Sequence, residues 1–182
     1  MNLLITRHDK IGDFITSLPS FYVAKKNLPD TKVIALVSKI NFELAQNMDF
    51  IDDVILYEDD VFKLAKKIRE KKIDVSISCF TDTKLAMALL FAGVKKRFAP
   101  ATKVAQIFSN HRIKQRRSQV KMREFEYNLE LLKAYKNDID VNFEKPLLKI
   151  SDDKKLEELN KFKKEFDLKE DYKYVAFHPG FG

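Results

Sequence analysis

The side chains most able to do chemistry stand close together near the start of the chain, in Arg7-His8-Asp9-Lys10-Ile11-Gly12-Asp13. A carboxylate such as Asp13 can accept a proton from a hydroxyl, and Arg7 and Lys10 can hold phosphate or carboxylate groups. The same residues have plainer readings. An acid in the first turn of a helix offsets the helix dipole, and charged loop residues are commonly just solvated. Gly12 is one of four glycines in the chain, and its missing side chain lets a ligand approach the backbone.

A second set lies in His111–Arg123, where Arg112, Lys114, Arg116, Arg117, Lys121 and Arg123 occur without a single acid. Arginines recognise carboxylate and phosphate through paired bonds, so this run suits a ligand bearing several anions. Its alternative is a mobile solvated loop that keeps the protein near an anionic membrane. Glu126 and Asn128 follow on the next helix, where capping and tying down that run is the plainer reading beside a direct part in catalysis. His8, His111, His178 and Cys79 share no metal-ligand spacing, so no metal site is expected. No Gly-x-Gly-x-x-Gly follows the first apolar run and no Walker sequence occurs. That argues against a dinucleotide enzyme or an NTPase, and no cofactor is expected.

These residues need elements to position them. Leu3–Ile5 reads as a buried strand. Ile11, Phe14, Ile15, Leu18 and Tyr22 then form the apolar stripe of a helix packed on a sheet, with Lys10, Asp13, Ser17 and Ser20 roughly opposite. Pro19 should bend that helix or tighten its first turns. Further strands are expected at Lys32–Val37, Asp53–Tyr57, Asp74–Phe80 and Lys96–Ala99. Helices are expected at Asn41–Met48, Val61–Lys71 and Thr83–Ala92, the last stopped by Gly93. Such alternation predicts an α/β fold: a Rossmann-like parallel sheet with helices on both faces. Asp13 then stands above the carboxyl edge of the sheet, where such folds bind ligands. A helix over Lys103–Ser109 leads into the basic run, and Glu124–Tyr135 is a helix with Phe125, Leu129, Leu132 and Tyr135 inward. Asp138–Pro146 is linker, Ser151–Phe166 a charged helix capped by Ser151 or Asp152, and Tyr172–Phe177 a last strand.

Length allows one full domain with a core of its own. Hydrophobic residues at 45 % and charged ones at 34 % describe a globular chain rather than a disordered one. The 34 basic against 27 acidic residues leave a formal charge of +7, which fits anionic partners. Without a helix-turn-helix, RRM or KH pattern, nucleic acid is not expected among them. With charges at Arg7, Asp9 and Lys10 after a very short apolar run, no signal peptide is expected, and Leu85–Val94 is too short to span a bilayer. Cys79 is the only cysteine, excludes an internal disulfide and reads as a buried strand thiol. A cytoplasmic protein is expected.

Three stretches carry a resemblance. Arg7-x-Asp9-Lys10-Ile11-Gly12-Asp13-x-x-x-Ser17-Leu18-Pro19, Glu126–Leu132 (EYNLELL) and Ala176–Gly182 (AFHPGFG) resemble motifs of the ADP-heptose:lipopolysaccharide heptosyltransferases, glycosyltransferase family 9. Tyr127 stands where the family's second motif usually carries arginine. The resemblance runs over the whole chain but matches only the front part of a family member. It implies the N-terminal half of a GT-B glycosyltransferase, with 1–150 an acceptor-binding domain, 151–172 a connecting helix, and 173–182 the first strand and turn of a donor-binding domain.

By the same resemblance the reaction is inverting, metal-independent transfer of heptose from ADP-heptose to an anionic lipopolysaccharide-core acceptor, with peripheral contact at the inner face of the inner membrane. Asp13 is the catalytic base. Arg7, Lys10, Gly12, Arg112, Arg116, Arg117, Lys121, Arg123 and Asn128 are the acceptor-binding candidates. His178, Gly180 and Gly182 belong to a donor-side phosphate turn. The phosphate-contacting lysine that follows this turn in the family is absent, so the chain is read as an N-terminal half with little or no turnover alone. The alternative is a non-enzymatic remnant that binds anionic glycan or membrane.

Overall fold

The computed structural model describes residues 1–101, 104–169, 172–175 and 177, and the chain divides into two compact units, 1–147 and 148–182. In the first unit the apolar runs become one sheet of β1 (Asn2–Thr6), β2 (Lys32–Val37), β3 (Asp53–Leu56), β4 (Val75–Ser78), β5 (Lys96–Pro100) and β6 (His111–Ile113). Every described pairing is parallel, and the order is β3-β2-β1-β4-β5-β6. The chain starts in the middle, steps outward to β3, returns to β4 and steps outward the other way. The order therefore reverses between β1 and β4, and the crevice at their carboxyl ends is where such a sheet receives ligands.

Helices α1 (Ile11–Asn27), α2 (Lys39–Gln46), α3 (Val61–Glu70), α4 (Thr83–Phe91) and α5 (Glu124–Tyr135) complete the layers, with α1 packed on α5 and α3 on α4. Leu4, Ile34, Leu36 and Ile55 meet Leu64 and Ile68 of α3 and Leu85 and Leu89 of α4 in one core. Each such Leu or Ile contributes about 1.5–3 kcal/mol relative to exposure. The alternate residues Leu3, Ile5, Val33 and Ala35 are fully buried too, as a sheet covered on both faces requires. The helix ends follow local chemistry. Asp60 Oδ1 accepts from the N–H groups of Phe62 and Lys63, both at 2.9 Å. Gly93, at φ 81°, ends α4 with Val94 N–H bonded to Leu89 and Gly93 N–H to Leu90. This is a Schellman closure that favours glycine at that position.

Four expectations need correction. The buried face of α1 is Phe14, Ser17, Leu18, Phe21 and Ala24, while Ile11 and Ile15 are 45 % and 40 % exposed. The helix is turned because it packs on α5 as well as on the sheet. Small residues permit that approach: Ser17 and Ser20, expected on the open face, are fully buried. Ser17 satisfies its own hydroxyl by donating to the Phe14 carbonyl at 2.7 Å. Second, the basic run is not a free loop, since His111–Ile113 forms the edge strand β6 beside β5. Third, α5 turns Tyr127, Asn128, Leu129, Leu131 and Leu132 inward and leaves Phe125 and Tyr135 half-buried. Fourth, Val104–Phe108 forms only a 3₁₀ turn.

The helix α1 runs unbroken through Pro19. The 138–146 segment is tied to α1, with Asn27 Nδ2 donating to the Asp140 carbonyl at 2.9 Å and Ile139 buried. In the second unit, α6 (Asp152–Glu165) is capped by Ser151. The strand expected over Tyr172–Phe177 does not form among the described residues; a parallel strand exists only when a neighbour accepts its bonds, and none of them does so here. His178, Gly180 and Gly182 lie outside the described residues.

Candidate functional site

The residues that follow β1 and β4 converge at the reversal point. Thr6 is bonded to the β4 exit by its carbonyl, which accepts from Cys79 N–H at 3.1 Å, and by its hydroxyl, which donates to the Phe80 carbonyl at 3.1 Å. Arg7 is thereby carried under the crevice, its side chain only 5 % exposed. Its guanidinium meets three carboxylates: Nε to Asp9 Oδ1 at 2.8 Å, Nη2 to Asp13 Oδ1 at 3.0 Å, and Nη1 to Glu124 Oε1 at 3.2 Å. Nη1 also donates to the Cys79 carbonyl at 3.3 Å. The Phe80 ring lies 5.9 Å from the guanidinium carbon.

The electrostatics follow from this crowding. Burial alone would lower the Arg7 pKa, but Asp9, Cys79 and Asp13 together hold it above its ordinary value. Asp9 moves upward as well, because its own burial outweighs the pull of Arg7. Burial pushes the Cys79 thiol up to about 11, which makes it an inert packing group.

Asp13 sits in the first turn of α1 with its side chain 38 % exposed, held on one oxygen by Arg7. Beside it Gly12 is exposed, and a Cβ added there would meet nothing within 4 Å. Its φ is not in the left-handed region that favours glycine. The fold therefore does not demand glycine at 12, and a side chain there would stand in open space. Lys10, the residue before α1, is exposed at the same rim.

The basic run reaches this site through Arg117. Its Nη1 pairs with Glu124 Oε1, the oxygen that Arg7 also uses. Its Nε and Nη2 donate to Gln115 Oε1 at 3.1 and 2.9 Å, and Nη2 to Asn128 Oδ1 at 3.3 Å. Asn128 is fully buried, 3.5 Å from the Thr16 carbonyl of α1, and Glu126 accepts from the Arg123 N–H at 2.6 Å. Tying down the run is what these two residues do in the structure. Arg112 is turned back on the Ser109 and Ile107 carbonyls at 3.1 and 3.4 Å. Arg116, Lys121 and Arg123 are exposed.

The structure thus brings Arg7, Gly12, Asp13, Arg117 and Asn128 together, with Arg7 and Asn128 buried. Sequence reasoning gave no role to Glu124, though it is the first acid after a long acid-free basic run. It weighed His8 only as a metal ligand and gave Asp82 no role. His8 Nε2 lies 2.9 Å from Asp82 Oδ2, its ring stacks on Tyr57 at 4.2 Å, and Tyr57 donates to the same oxygen at 3.0 Å. Burial would raise the Asp82 pKa, but these bonds and the Leu85 N–H hold it down at about 2. Burial and the Asp82 charge push the Tyr57 phenol upward. No group of three metal-binding side chains is found among the described residues, nor is any described helix long and apolar enough to cross a membrane.

No family model matches the chain. It is 35 % identical to a Haemophilus influenzae protein named "Putative glycosyltransferase", over 99 % of this chain and 54 % of that one. Its fold matches the Escherichia coli ADP-heptose lps heptosyltransferase II with TM-score 0.72 at 21 % identity, over 89 % of this chain and 50 % of the other. A glycosyl transferase family 9 structure from Veillonella parvula matches with TM-score 0.75 at 13 % identity, over 93 % and 50 %. The E. coli heptosyltransferase WaaC with ADP-2-deoxy-2-fluoro heptose matches with TM-score 0.58 at 17 % identity, over 82 % and 51 %. The chain therefore spans about half the length of the relatives it matches. In sequence the chain is similar to a protein named as a glycosyltransferase, and in fold it is similar to one half of the GT-B heptosyltransferases and of a glycosyltransferase family 9 structure.

Proposed function

We propose that this chain is the acceptor-binding half of a heptosyltransferase-like enzyme, in which Asp13 is the general base. The observation that carries the reading is the placement of Asp13: a half-exposed carboxylate at the point where the sheet order reverses, fixed by a buried arginine, beside open backbone at Gly12. Similarity to a protein named as a glycosyltransferase supports the reaction class, and the fold likeness to heptosyltransferases supports the sugar.

The step would be a single displacement. The acceptor hydroxyl attacks the anomeric carbon of a nucleotide-linked heptose, the carbon–oxygen bond to the diphosphate breaks on the opposite side, and Asp13 takes the hydroxyl proton. Configuration inverts. A carboxylate is a weak base, but it suffices when the proton leaves late, after positive charge has built at the anomeric carbon. The exposed cations Lys10, Arg116, Lys121 and Arg123 would gather an anionic lipopolysaccharide-core acceptor at the inner membrane face. No metal ion is needed in this scheme. The donor nucleotide would be held by the half of the relatives that this chain does not span, so the chain alone should turn over little.

The test is to join the chain to a family donor-binding half and assay heptose transfer from ADP-heptose to a lipid A–sugar acid acceptor. Asp13→Asn should lower kcat by about 10²–10⁴-fold while the fold persists. Equal transfer by both versions would leave Asp13 as no more than a helix-start acid.

A further inference from the structure

We infer that Arg7 is the positioning residue for Asp13, with Glu124 as its counter-anchor, and that Arg7 touches no substrate. The inference rests on the reading of Asp13 as the base. A guanidinium donates in a fixed planar fork. In Arg7 all three nitrogens of that fork face protein groups: Nε donates to Asp9, Nη1 donates to Glu124 and to the Cys79 carbonyl, and Nη2 forms an ion pair with Asp13 at 3.0 Å. With its side chain 5 % exposed, Arg7 offers little surface to an acceptor anion.

The arrangement determines where the Asp13 carboxylate points. One oxygen is held, and the two remaining acids pin the guanidinium so that it cannot follow Asp13 if that side chain turns. Asp9 comes from the same loop, whereas Glu124 comes from α5, so the clamp ties the loop after β1 to a second element. Without the cation, three carboxylates would converge and disfavour one another's charge. A lysine at position 7 would keep the charge but not the fork, and could not span three partners.

The experiment has two arms. In the joined enzyme, Arg7→Lys should lower kcat by about 10²-fold, the cost of a base misplaced by about 1 Å, with KM for both substrates little changed. Glu124→Gln keeps an acceptor oxygen for Arg7 and should lose less. A raised KM with unchanged kcat would mean that Arg7 binds substrate, and an unchanged kcat in a folded Arg7→Lys protein would mean that it positions nothing; either overturns the inference. The second arm needs no activity. The carboxyl carbon resonance of Asp13, assigned by its loss in Asp13→Asn, is followed in the chain itself at neutral pH. Arg7→Lys should move it and leave Asp140 where it is. An unmoved resonance overturns the inference. A moved resonance in an enzyme that transfers no heptose upholds the contact and defeats only the assigned reaction.

Discussion

Arg117 and Glu124 form an ion pair whose acceptor atom, Glu124 Oε1, also receives Arg7 Nη1 at 3.2 Å. One carboxylate thus binds the basic segment to the loop that presents Asp13. The basic segment and the loop that carries Asp13 are parts of one packed structure, joined at the N-terminus of α5. An acid there is also favoured by the helix dipole.

If that junction holds the basic segment down, Glu124→Ala should loosen it. Trypsin should then cut at Arg116, Arg117 or Lys121 several-fold faster than in the native protein. Global stability should fall by about 1–3 kcal/mol, the scale of charge-assisted bonds left unmade. Unchanged cleavage would show that β6 and Gln115 suffice to hold the segment.

Gly12 offers a cleaner separation of fold from function. Its side-chain direction is open and its φ lies outside the left-handed region, so Gly12→Ala should leave stability unchanged or raise it by up to about 1 kcal/mol. In the joined enzyme the added methyl should raise the acceptor KM. Lower stability, read by urea unfolding, would mean that the glycine serves the fold after all.

Asp82 should give the protein an acid-dependent term. Its folded pKa, about 2, lies below its ordinary value of 3.8, so the folded state binds its proton less readily than the unfolded one. The stabilisation is complete above the ordinary carboxylate range and is lost as pH falls through about 2. Asp82→Asn keeps a cap for α4 but removes the charge. The gap in Tm between the two proteins should be widest near pH 6 and should close between pH 4 and pH 2; a gap independent of pH would mean that the charge contributes nothing.

Cys79 is 1 % exposed, with its thiol pushed up to about 11. It should resist an aromatic disulfide reagent at pH 8 in the folded protein and react at once in denaturant. Fast reaction under native conditions would show that the β4 exit opens readily.

Much of the fold was legible because its signals are local. Apolar runs flanked by turns marked β1 to β5, and α5 was bounded correctly from Glu124 to Tyr135. Gly93 announced the end of α4 through backbone freedom that only glycine has in full. The errors share a cause. The rotation of α1, the burial of Ser17 and Ser20, and the strand at His111–Ile113 all depend on neighbours far away in sequence. Periodicity reports that a helix has an apolar side, but not which of two overlapping stripes a second helix will cover. A basic, alternating tripeptide at a sheet edge carries too little apolar signal to be read as a strand.

The site divides in the same way. From sequence alone came the carboxylate at the head of α1, the glycine beside it and the charge of the following basic run, since these are properties of residue type and spacing. Tertiary structure alone decided that Arg7 is buried and Asp13 is not, that Asn128 holds a protein arginine, and that Glu124 joins two arginines that are 110 positions apart in the chain. The physical reason is that a charge's role depends on its partners and its solvent. Both are fixed only when the strands β1 and β4 lie side by side and α5 closes over their ends.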